Sequence, residues 1–490
     1  MSQNFLVCDR EQSLLLPANL REWLAEDHLA WFVLDVVEEL DLAGFYGEYR
    51  RDGWGRAAFD PAMMVALLLY AYVTGERSSR AIERHCREDV AFRVIAANQV
   101  PDHATIARFR ARHEHALGEL FVQVLGLCAR AGLLSLGVVA VDSTKVAANA
   151  SSMASRTYEQ IAEELLADAA AIDAAEDQRF GDARGDELPG DLADPRSRRE
   201  RLRLAKQEME AEHQAAIDAH RERLAWRTER EAELGHKLAG RPPKAPPEQV
   251  PSLTKLNLTD PDSRSVKTQQ GFLQGYNAQA AATSEQIIIA AEILGNANDY
   301  GMLESVTNAA IGELAAAGVS EQIDVVLADA GYWDSEQIEN LAAAGMRPLV
   351  PPDSSTKKRN RGANRQGPRY DFMRRVIKSD AGHALYRQRK HAIEPVFGQI
   401  KHNRRIARFQ RRGITACRSE WRLIATTHNI LKLWRASSAP RPPEPPHGRP
   451  HHCAPPSPGT PPSPPSTAKR FAEPAITPYA TASRKPDCVC

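Results

Sequence analysis

The hydrophobic pattern of the first 135 residues predicts helices throughout. The segment "DPAMMVALLLYAYVTGE" places Asp60 at a helix cap and Pro61 at the first helical position, and it closes at Gly75. The segment "SSRAIERHCRED" predicts a short capped helix. A third helical stretch begins after Asp102 and runs to Gly132, with a break expected at 115–118. Residues 1–135 are therefore predicted to form an all-α N-terminal domain.

The tight connections between these helices are also typical of a helix-turn-helix DNA-binding motif. The helix that would read DNA is "ATIARFRARH", which carries Arg108, Arg110 and Arg112. Arg108 and Arg110 are accordingly candidate DNA contacts. Many helical domains share this pattern, so an ordinary helical domain is the alternative interpretation.

Two continuous apolar runs further along the chain predict buried strands that end in a carboxylate. Residues 137–141 are followed by Asp142, and residues 324–328 are followed by Asp329. A short apolar run without alternation is typical of a strand covered on both faces. Either acid alone is explained as a turn residue, because Asp is common in turns. The alternative is a pair of metal ligands at the edge of a sheet.

The order of elements places these two strands side by side. After the first strand comes an insertion at 155–250, with charged helical stretches at 157–176 and 196–237. Two strands joined by "TSEQ" follow, and then helices alternate with strands. Three antiparallel strands followed by parallel ones is the order of a ribonuclease-H-like α/β domain. We therefore predict such a catalytic domain, with a mixed sheet, over 136–154 and 251–435.

A third carboxylate is expected from the basic segment "ALYRQRKHAIEPVFGQIKHNRRIARF", which predicts one long helix. Glu394 would share a face of that helix with Lys390 and His391. Carboxylate oxygens together with water and phosphate oxygens suit Mg²⁺. Three further acids compete for the role: Asp260 and Asp262 in "TDPDSR", expected to shape a turn, and Asp299, expected to cap the following helix.

Charge is strongly segregated although the net charge is zero. Between residues 357 and 435 there are 22 Lys or Arg against four Asp or Glu, which indicates a polyanionic partner such as DNA. Hydrophobic residues make up 43% of the chain, but no apolar run approaches a membrane span. The scattered cysteines favour a reduced, cytoplasmic setting. Residues 436–490 are rich in proline and are predicted to be disordered.

Together, these motifs resemble the DDE transposases of bacterial insertion sequences, in the group with a helical insertion after the first catalytic strand. The similarity covers about residues 15–435 and rests on "PDHATIARFR", "AVDSTKVAANAS", "TDPDSR", "GFLQGYNAQAA", "ADAGYWD" and "RKHAIEPVFGQIKHNRR". It implies cleavage and transfer of DNA strands with two Mg²⁺ ions, which Mn²⁺ would replace. It also implies association with the bacterial chromosome.

The resemblance assigns roles to individual residues. Asp142, Asp329 and Glu394 would be the catalytic metal ligands. The family signature has a Tyr, an Arg, the Glu and a Lys seven residues later; here Lys390 stands at the Arg position, Lys401 matches the Lys, and Tyr386 lies one residue early. Other predicted DNA contacts are Trp333 and Tyr332, as platforms for an unpaired base, and Arg404 and Arg405 on the basic segment.

Two other functions remain open at this point. The chain would be a non-catalytic, domesticated DNA-binding regulator if its carboxylates did not act on DNA. It would be a ribonuclease-H-like nuclease if it cleaved DNA without strand transfer. The transposase interpretation predicts double-stranded DNA partners, namely the element ends and a target, no membrane partner, and a homodimer or larger assembly. The charged insertion is a candidate for contacts between subunits.

Overall fold

The strands predicted around the two carboxylates lie in one mixed sheet. A computed structural model describes residues 19–49, 57–150, 155–157, 195–237, 255–268, 271–352 and 368–438, with a few more between 242 and 251. The acidic stretch of the insertion and nearly all of the proline-rich tail lie outside the described residues. The helical stretch predicted at 157–176 and the disorder predicted for residues 436–490 therefore fall largely outside the described residues.

Eight strands are described, in a six-stranded sheet and a separate pair. In chain order they are β1 (Val138–Ala147), β2 (Ser155–Thr157), β3 (Lys255–Asn257), β4 (Arg264–Thr268), β5 (Gly271–Thr283), β6 (Ile288–Ile293), β7 (Val325–Leu327) and β8 (Arg347–Leu349). Strand β5 pairs antiparallel with β1, β4 and β6, whereas β7 pairs parallel with β1 and β8 parallel with β7. Strands β2 and β3 form the separate pair. The large sheet is mixed, as predicted, and includes one strand, β4, that the sequence does not predict.

Strand β1 extends well beyond the apolar run that predicts it. Its pairing with β5 continues from Val139 opposite Thr283 to Ala147 opposite Gly275. The backbones approach closely at Gly275, where an added Cβ would lie 2.2 Å from a carbonyl oxygen of β1. Asp142 therefore lies within the strand, opposite Ala280, and not at its end.

Within the described residues, seven α-helices precede the sheet, as the N-terminal pattern predicts. They are α1 (Leu29–Glu38), α2 (Ala43–Tyr46), α3 (Pro61–Thr74), α4 (Ser79–Glu88), α5 (Val90–Ile95), α6 (His103–Arg112) and α7 (Glu114–Arg130). The side chains of Asp60 and Asp102 cap α3 and α6 as expected, and Gly75 closes α3 with a positive φ of 92°. The break between α6 and α7 falls at His113, slightly earlier than predicted.

The described part of the insertion includes β2 and one 40-residue helix, α8 (Pro195–Leu234). The helix contacts the strand pair through a small apolar cluster of Ala205, Met209 and Leu256. Beyond that cluster most of its described side chains are exposed, and ion pairs such as Arg221–Asp218 and Arg230–Glu233 run along it. The helix is thus a charged arm, in agreement with its sequence.

The remaining helices pack around the large sheet. They are α9 (Leu303–Ala316), α10 (Ser335–Ala343), α11 (Pro368–Lys378), α12 (Asp380–Ala392), the short α13 (Glu394–Gly398) with a π-helical turn at Gln399–Asn403, and α14 (Ile414–Ser438). The long basic helix predicted from the sequence is therefore broken. Pro395 occupies the start of α13, and a proline disfavours helical geometry in the residue before it and removes a backbone donor.

Helix α14 joins the N-terminal helices to the sheet. Its Glu420 forms a buried ion pair with Arg77, with 3.1 Å between Nη1 and Oε1. The Trp421 indole donates to the carbonyl of Gln279 on β5 at 2.8 Å. One hydrophobic core accordingly includes residues from Ala30 to Leu433, so the helical segment and the sheet pack as one body.

The "TDPDSR" motif has a structural role at the start of this helix. Asp260 accepts a hydrogen bond from the Gly413 backbone at 3.1 Å, and Asp262 accepts one from the Ile414 backbone at 2.8 Å. Asp260 is fully buried and also accepts from the Tyr276 hydroxyl at 2.6 Å. These contacts cap α14 and agree with the expected turn-shaping role.

Candidate active site

Register brings Asp142 and Asp329 to the same edge of the sheet. The last parallel pair of β1 and β7 is Ala140 with Leu327; Asp142 lies two residues further along β1, and Asp329 lies two residues beyond Leu327, just after the end of β7. Residues two apart on a strand face the same side. Beyond this pair β7 ends, and the chain turns away while β1 continues. The two carboxylates predicted to be neighbours are thus placed side by side.

Asp142 is mostly buried and carries an unfavourable charge. Burial raises the pKa of its carboxyl to about 6, the charges of Asp329 and Asp299 add to that rise, and the charge of Arg389 opposes it. The Arg389 guanidinium donates to Oδ2 at 2.6 Å, and the Ser143 backbone donates to Oδ1 at 2.8 Å. A divalent cation would relieve the repulsion among these acids.

Asp329 begins a short 3₁₀ turn, Ala330–Tyr332, and its side chain accepts from the Gly331 backbone at 2.7 Å. A Cβ added to Gly331 would lie 2.9 Å from that carboxylate oxygen, closer than real contacts allow. Glycine is therefore required for the turn to close against Asp329. The sequence predicts a sharp turn at Gly331, and the structure has one.

Glu394 lies at the start of α13, and its side chain is 52% exposed. The sequence predicts that Glu394 shares a helical face with Lys390. The helix is broken before Glu394, so the two residues do not share that face. Arg389 reaches Glu394 instead, with 3.5 Å between Nη2 and Oε1. Arg389 thus bridges Asp142 and Glu394 and is the guanidinium of this site, whereas Lys390 is exposed on the outer face of α12.

The candidate ligands are carboxylate oxygens, which are the ligands that hard divalent cations prefer. Among the described residues, no group of three His, Cys, Asp or Glu side chains is arranged to enclose a metal ion. Asp142 and Asp329 stand together, while Arg389 lies between Asp142 and Glu394. The side chains therefore have the chemistry of a divalent-cation site, and Arg389 connects the third carboxylate, Glu394, to Asp142.

Asp299, one of the three competing acids in the sequence, lies close to Asp142. The predicted helix cap is wrong: Met302 precedes α9, and only the backbone carbonyl of Asp299 takes part in that turn. Its side chain points instead toward Asn277 and Gln279 on β5, close enough to Asp142 to raise that residue's pKa. An acid just before a helix is typical of a cap, so the local pattern offers no signal of this role.

Two segments of the chain match models of transposase families. Residues 18–112 match a transposase domain (DUF772), and residues 354–434 match a transposase DDE domain. Both matches support an insertion-sequence DDE transposase. No curated protein and no solved structure matches it. Glu394 and Arg389 lie within the second matched segment, whereas Asp142 and Asp329 lie between the two.

Four predicted DNA contacts of this transposase are buried. Arg110 is 1% exposed and donates to the Arg77 carbonyl at 2.8 Å, which ties α6 to the start of α4. Arg404 is buried and donates to Thr427 Oγ1 at 2.8 Å. Tyr332 is fully buried, with its hydroxyl bonded to Gln279. Trp333 is 7% exposed and meets Tyr370 edge to face at 6.0 Å. In this conformation none of them presents a surface to DNA.

The other predicted contacts of the transposase are accessible. Arg108, Lys390 and Arg405 are exposed. Lys401 is half-buried and donates to the carbonyl of Lys145 on β1 at 2.6 Å, and burial lowers its pKa. Within the described residues, no helix has both the length and the apolar character needed to cross a membrane.

Proposed function

We propose that this transposase binds the ends of an insertion sequence and catalyses Mg²⁺-dependent cleavage and transfer of DNA strands, on a ribonuclease-H-like domain. The observation that carries the proposal is the position of Asp142 on β1 and of Asp329 just after β7, each two residues beyond the last parallel pair, with Glu394 linked to Asp142 through Arg389. Carboxylates so placed at a sheet edge serve divalent-cation chemistry on phosphate substrates.

In this proposal Asp142, Asp329 and Glu394 hold two Mg²⁺ ions, for which Mn²⁺ substitutes. When bound, the ions supply Lewis-acid activation of an attacking oxygen and stabilisation of the leaving one. Arg389 neutralises part of the negative charge that gathers where a phosphate approaches the acids. Lys401 fixes the end of β1 through its backbone contact and places a cation beside the site.

Strand transfer is the step that separates this function from its rivals. Purified protein, a DNA duplex carrying the element end, Mg²⁺ and a supercoiled target plasmid would be incubated together, and joined products would be resolved on a gel. A transposase gives both cleaved ends and joined products. Cleavage without any joined product would favour the nuclease, and end binding without cleavage would favour the regulator.

A basic face on α12 supports the DNA part of the proposal. His383, Arg387 and Lys390 are exposed at helical spacing, so they lie on one side of the helix that leads toward Glu394. Among the described residues, none of the three forms an ion pair with a carboxylate. Arg387 and Lys390, as cations on this face, would contact the phosphates of a duplex that leads toward the acids.

Replacing Arg387 and Lys390 with Gln is expected to lower the salt dependence of DNA binding. Each phosphate contact contributes about 0.9 to the slope of log K against log salt concentration, so the slope should fall by about 2. Fluorescence anisotropy across a salt series would measure it. The variant Arg221→Gln/Arg230→Gln removes two charges that are already ion-paired on α8. Equal slopes for the two variants would exclude the α12 face as a phosphate contact.

The proposal also includes a synaptic complex of two or more copies, because two element ends must be held together. Helix α8 packs on the β2–β3 pair through a small apolar cluster, and it is the proposed site of contact between subunits. The predicted domain limits, 1–135, 136–154 with 251–435, 155–250 and 436–490, remain proposals about how the chain is organised.

A further inference from the structure

The side chain of Asp299 lies close to Asp142 and is 20% exposed. It belongs to the loop between β6 and α9, an element that contributes no residue to the predicted triad. Its Oδ1 accepts hydrogen bonds from Asn277 Nδ2 at 2.8 Å and from Gln279 Nε2 at 3.1 Å, and Lys145 Nζ lies 3.5 Å away. Three donors on one oxygen leave it no capacity for another partner.

These contacts connect Asp299 to the strand that carries Asp142. Lys145 lies on β1, and its Nζ also donates to the side chain of Ser143, the residue after Asp142, at 3.3 Å. Asn277 pairs with Lys145, and Gln279 pairs with Ser143, across β1 and β5. Asp299 therefore contacts both strands just after Asp142. A shift of Asp299 would therefore move the part of β1 that positions Asp142.

A second set of contacts connects Asp299 to the turn that carries Asp329. Gln279 donates to Asp299 and accepts from the Tyr332 hydroxyl, and Tyr332 ends that turn. The turn also packs directly on Asp299, since a Cβ added to Gly331 would lie 3.6 Å from its Cβ and 3.6 Å from its Oδ2. One side chain thus contacts both elements that present the catalytic aspartates.

We propose that Asp299 is a positioning residue that fixes the separation of Asp142 and Asp329 for cation binding. This inference rests on the proposed function. Asp299 acts through Asn277, Gln279 and Lys145, which all contact its Oδ1.

The charge of Asp299 is maintained despite its burial. Burial raises its pKa, but hydrogen bonds from Ser143, Asn277 and Gln279 and the charge of Lys145 outweigh that effect and hold the pKa below its usual range. Asp299 is therefore a carboxylate at neutral pH. An Asn at this position would keep the shape of the side chain but lose the charge that attracts Lys145. Its NH₂ group would also replace one carboxylate oxygen with a donor.

Direct binding of Mn²⁺ to the full chain tests the inference without relying on activity. The free Mn²⁺ signal in electron paramagnetic resonance would be titrated against wild type, Asp299→Asn and Tyr332→Phe. Loss of an outer partner of a metal ligand weakens affinity by roughly tenfold to a hundredfold. We expect about tenfold for Asp299→Asn and a smaller weakening for Tyr332→Phe, with the number of bound ions unchanged. Asp334→Asn, in the cap of α10, is the matched control and should bind as wild type does.

The outcomes separate this inference from the proposed function. If Asp142→Asn binds Mn²⁺ as wild type does, the metal site itself is wrong. If Asp142→Asn loses binding while Asp299→Asn does not, only the positioning role is overturned. Loss of a whole ion in Asp299→Asn with no change in Tyr332→Phe would make Asp299 a ligand, which also overturns positioning. Tyr332→Phe keeps the test valid should Asp299→Asn fail to fold.

Discussion

Replacing Asp142 with Asn is expected to lower the rate of Mg²⁺-dependent end cleavage by about a thousandfold or more, because it removes a charged ligand from the centre of the proposed site. Asp329→Asn should have an effect of similar size. Single-turnover cleavage at saturating DNA would measure both. Asp324→Asn, at the opposite end of β7, is the control and should cleave normally. Full Mg²⁺-dependent cleavage by Asp142→Asn would refute the assignment.

The same substitution should change how stability depends on pH. The pKa of Asp142 is raised from 3.8 to about 6 in the folded protein, so the folded state binds the proton more tightly than the unfolded state does. The free energy of unfolding therefore falls as the pH rises from about 4 to about 6, and the loss is complete above that window. A shift of this size corresponds to roughly 3 kcal/mol.

Asp142→Asn lacks this titration. Relative to wild type, it should gain about 2–3 kcal/mol of unfolding free energy between pH 4 and pH 8, measured by urea denaturation without divalent ions. Activity and stability would then change in opposite directions. Parallel pH profiles for the two proteins would show that Asp142 is not the strained acid inferred from its burial.

Much of the sheet follows from local pattern, because a buried strand needs only a short apolar run. The end of β1 was misplaced for a physical reason. Beyond residue 141 the strand is held by its pairing with β5, and no apolar run marks a stretch that lies beside a polar network. The apolar run still ends at Asp142, because the position where the apolar residues stop is also the level at which β7 ends.

Burial of basic residues could not be predicted from the sequence. A run such as "RRIARF" indicates a polyanion partner by charge alone, yet alternate members point inward. Arg404 is buried against α14, while the next residue, Arg405, is exposed with a positive φ of 57°. Arg110 and Arg108 divide in the same way on α6. Sequence gives the charge of such residues, and only tertiary packing determines which of them reach solvent.

The break at Ile393 explains the irregular spacing of the family signature. Tyr386 and Arg389 both lie one residue earlier than the pattern expects, and they remain together, with the guanidinium 5.9 Å from the tyrosine ring centroid. Where Pro395 interrupts the helix, one additional residue is accommodated between Arg389 and Glu394. A continuous helix would put Lys390 in register with Glu394, which is why the sequence assigns the role to Lys390.

Arg389→Ala is therefore expected to lower cleavage by about a hundredfold, because removing one preorganised donor from a charged site has an effect of this order. It should also reduce the free energy of unfolding by about 1–3 kcal/mol, since it leaves Asp142 buried without its counter-charge. Lys390→Ala, at the adjacent exposed position, should change single-turnover cleavage at saturating DNA by no more than a few-fold and stability by under about 0.5 kcal/mol.

The pair of variants discriminates between the two registers. If the helix were continuous in the active complex, Lys390→Ala would be the damaging substitution and Arg389→Ala the mild one. Arg389→Lys refines the test, because a lysine keeps the charge but cannot contact Asp142 and Glu394 through two separate nitrogens. Near wild-type stability with impaired cleavage in Arg389→Lys would show that the bridging geometry, and not the charge alone, serves the reaction.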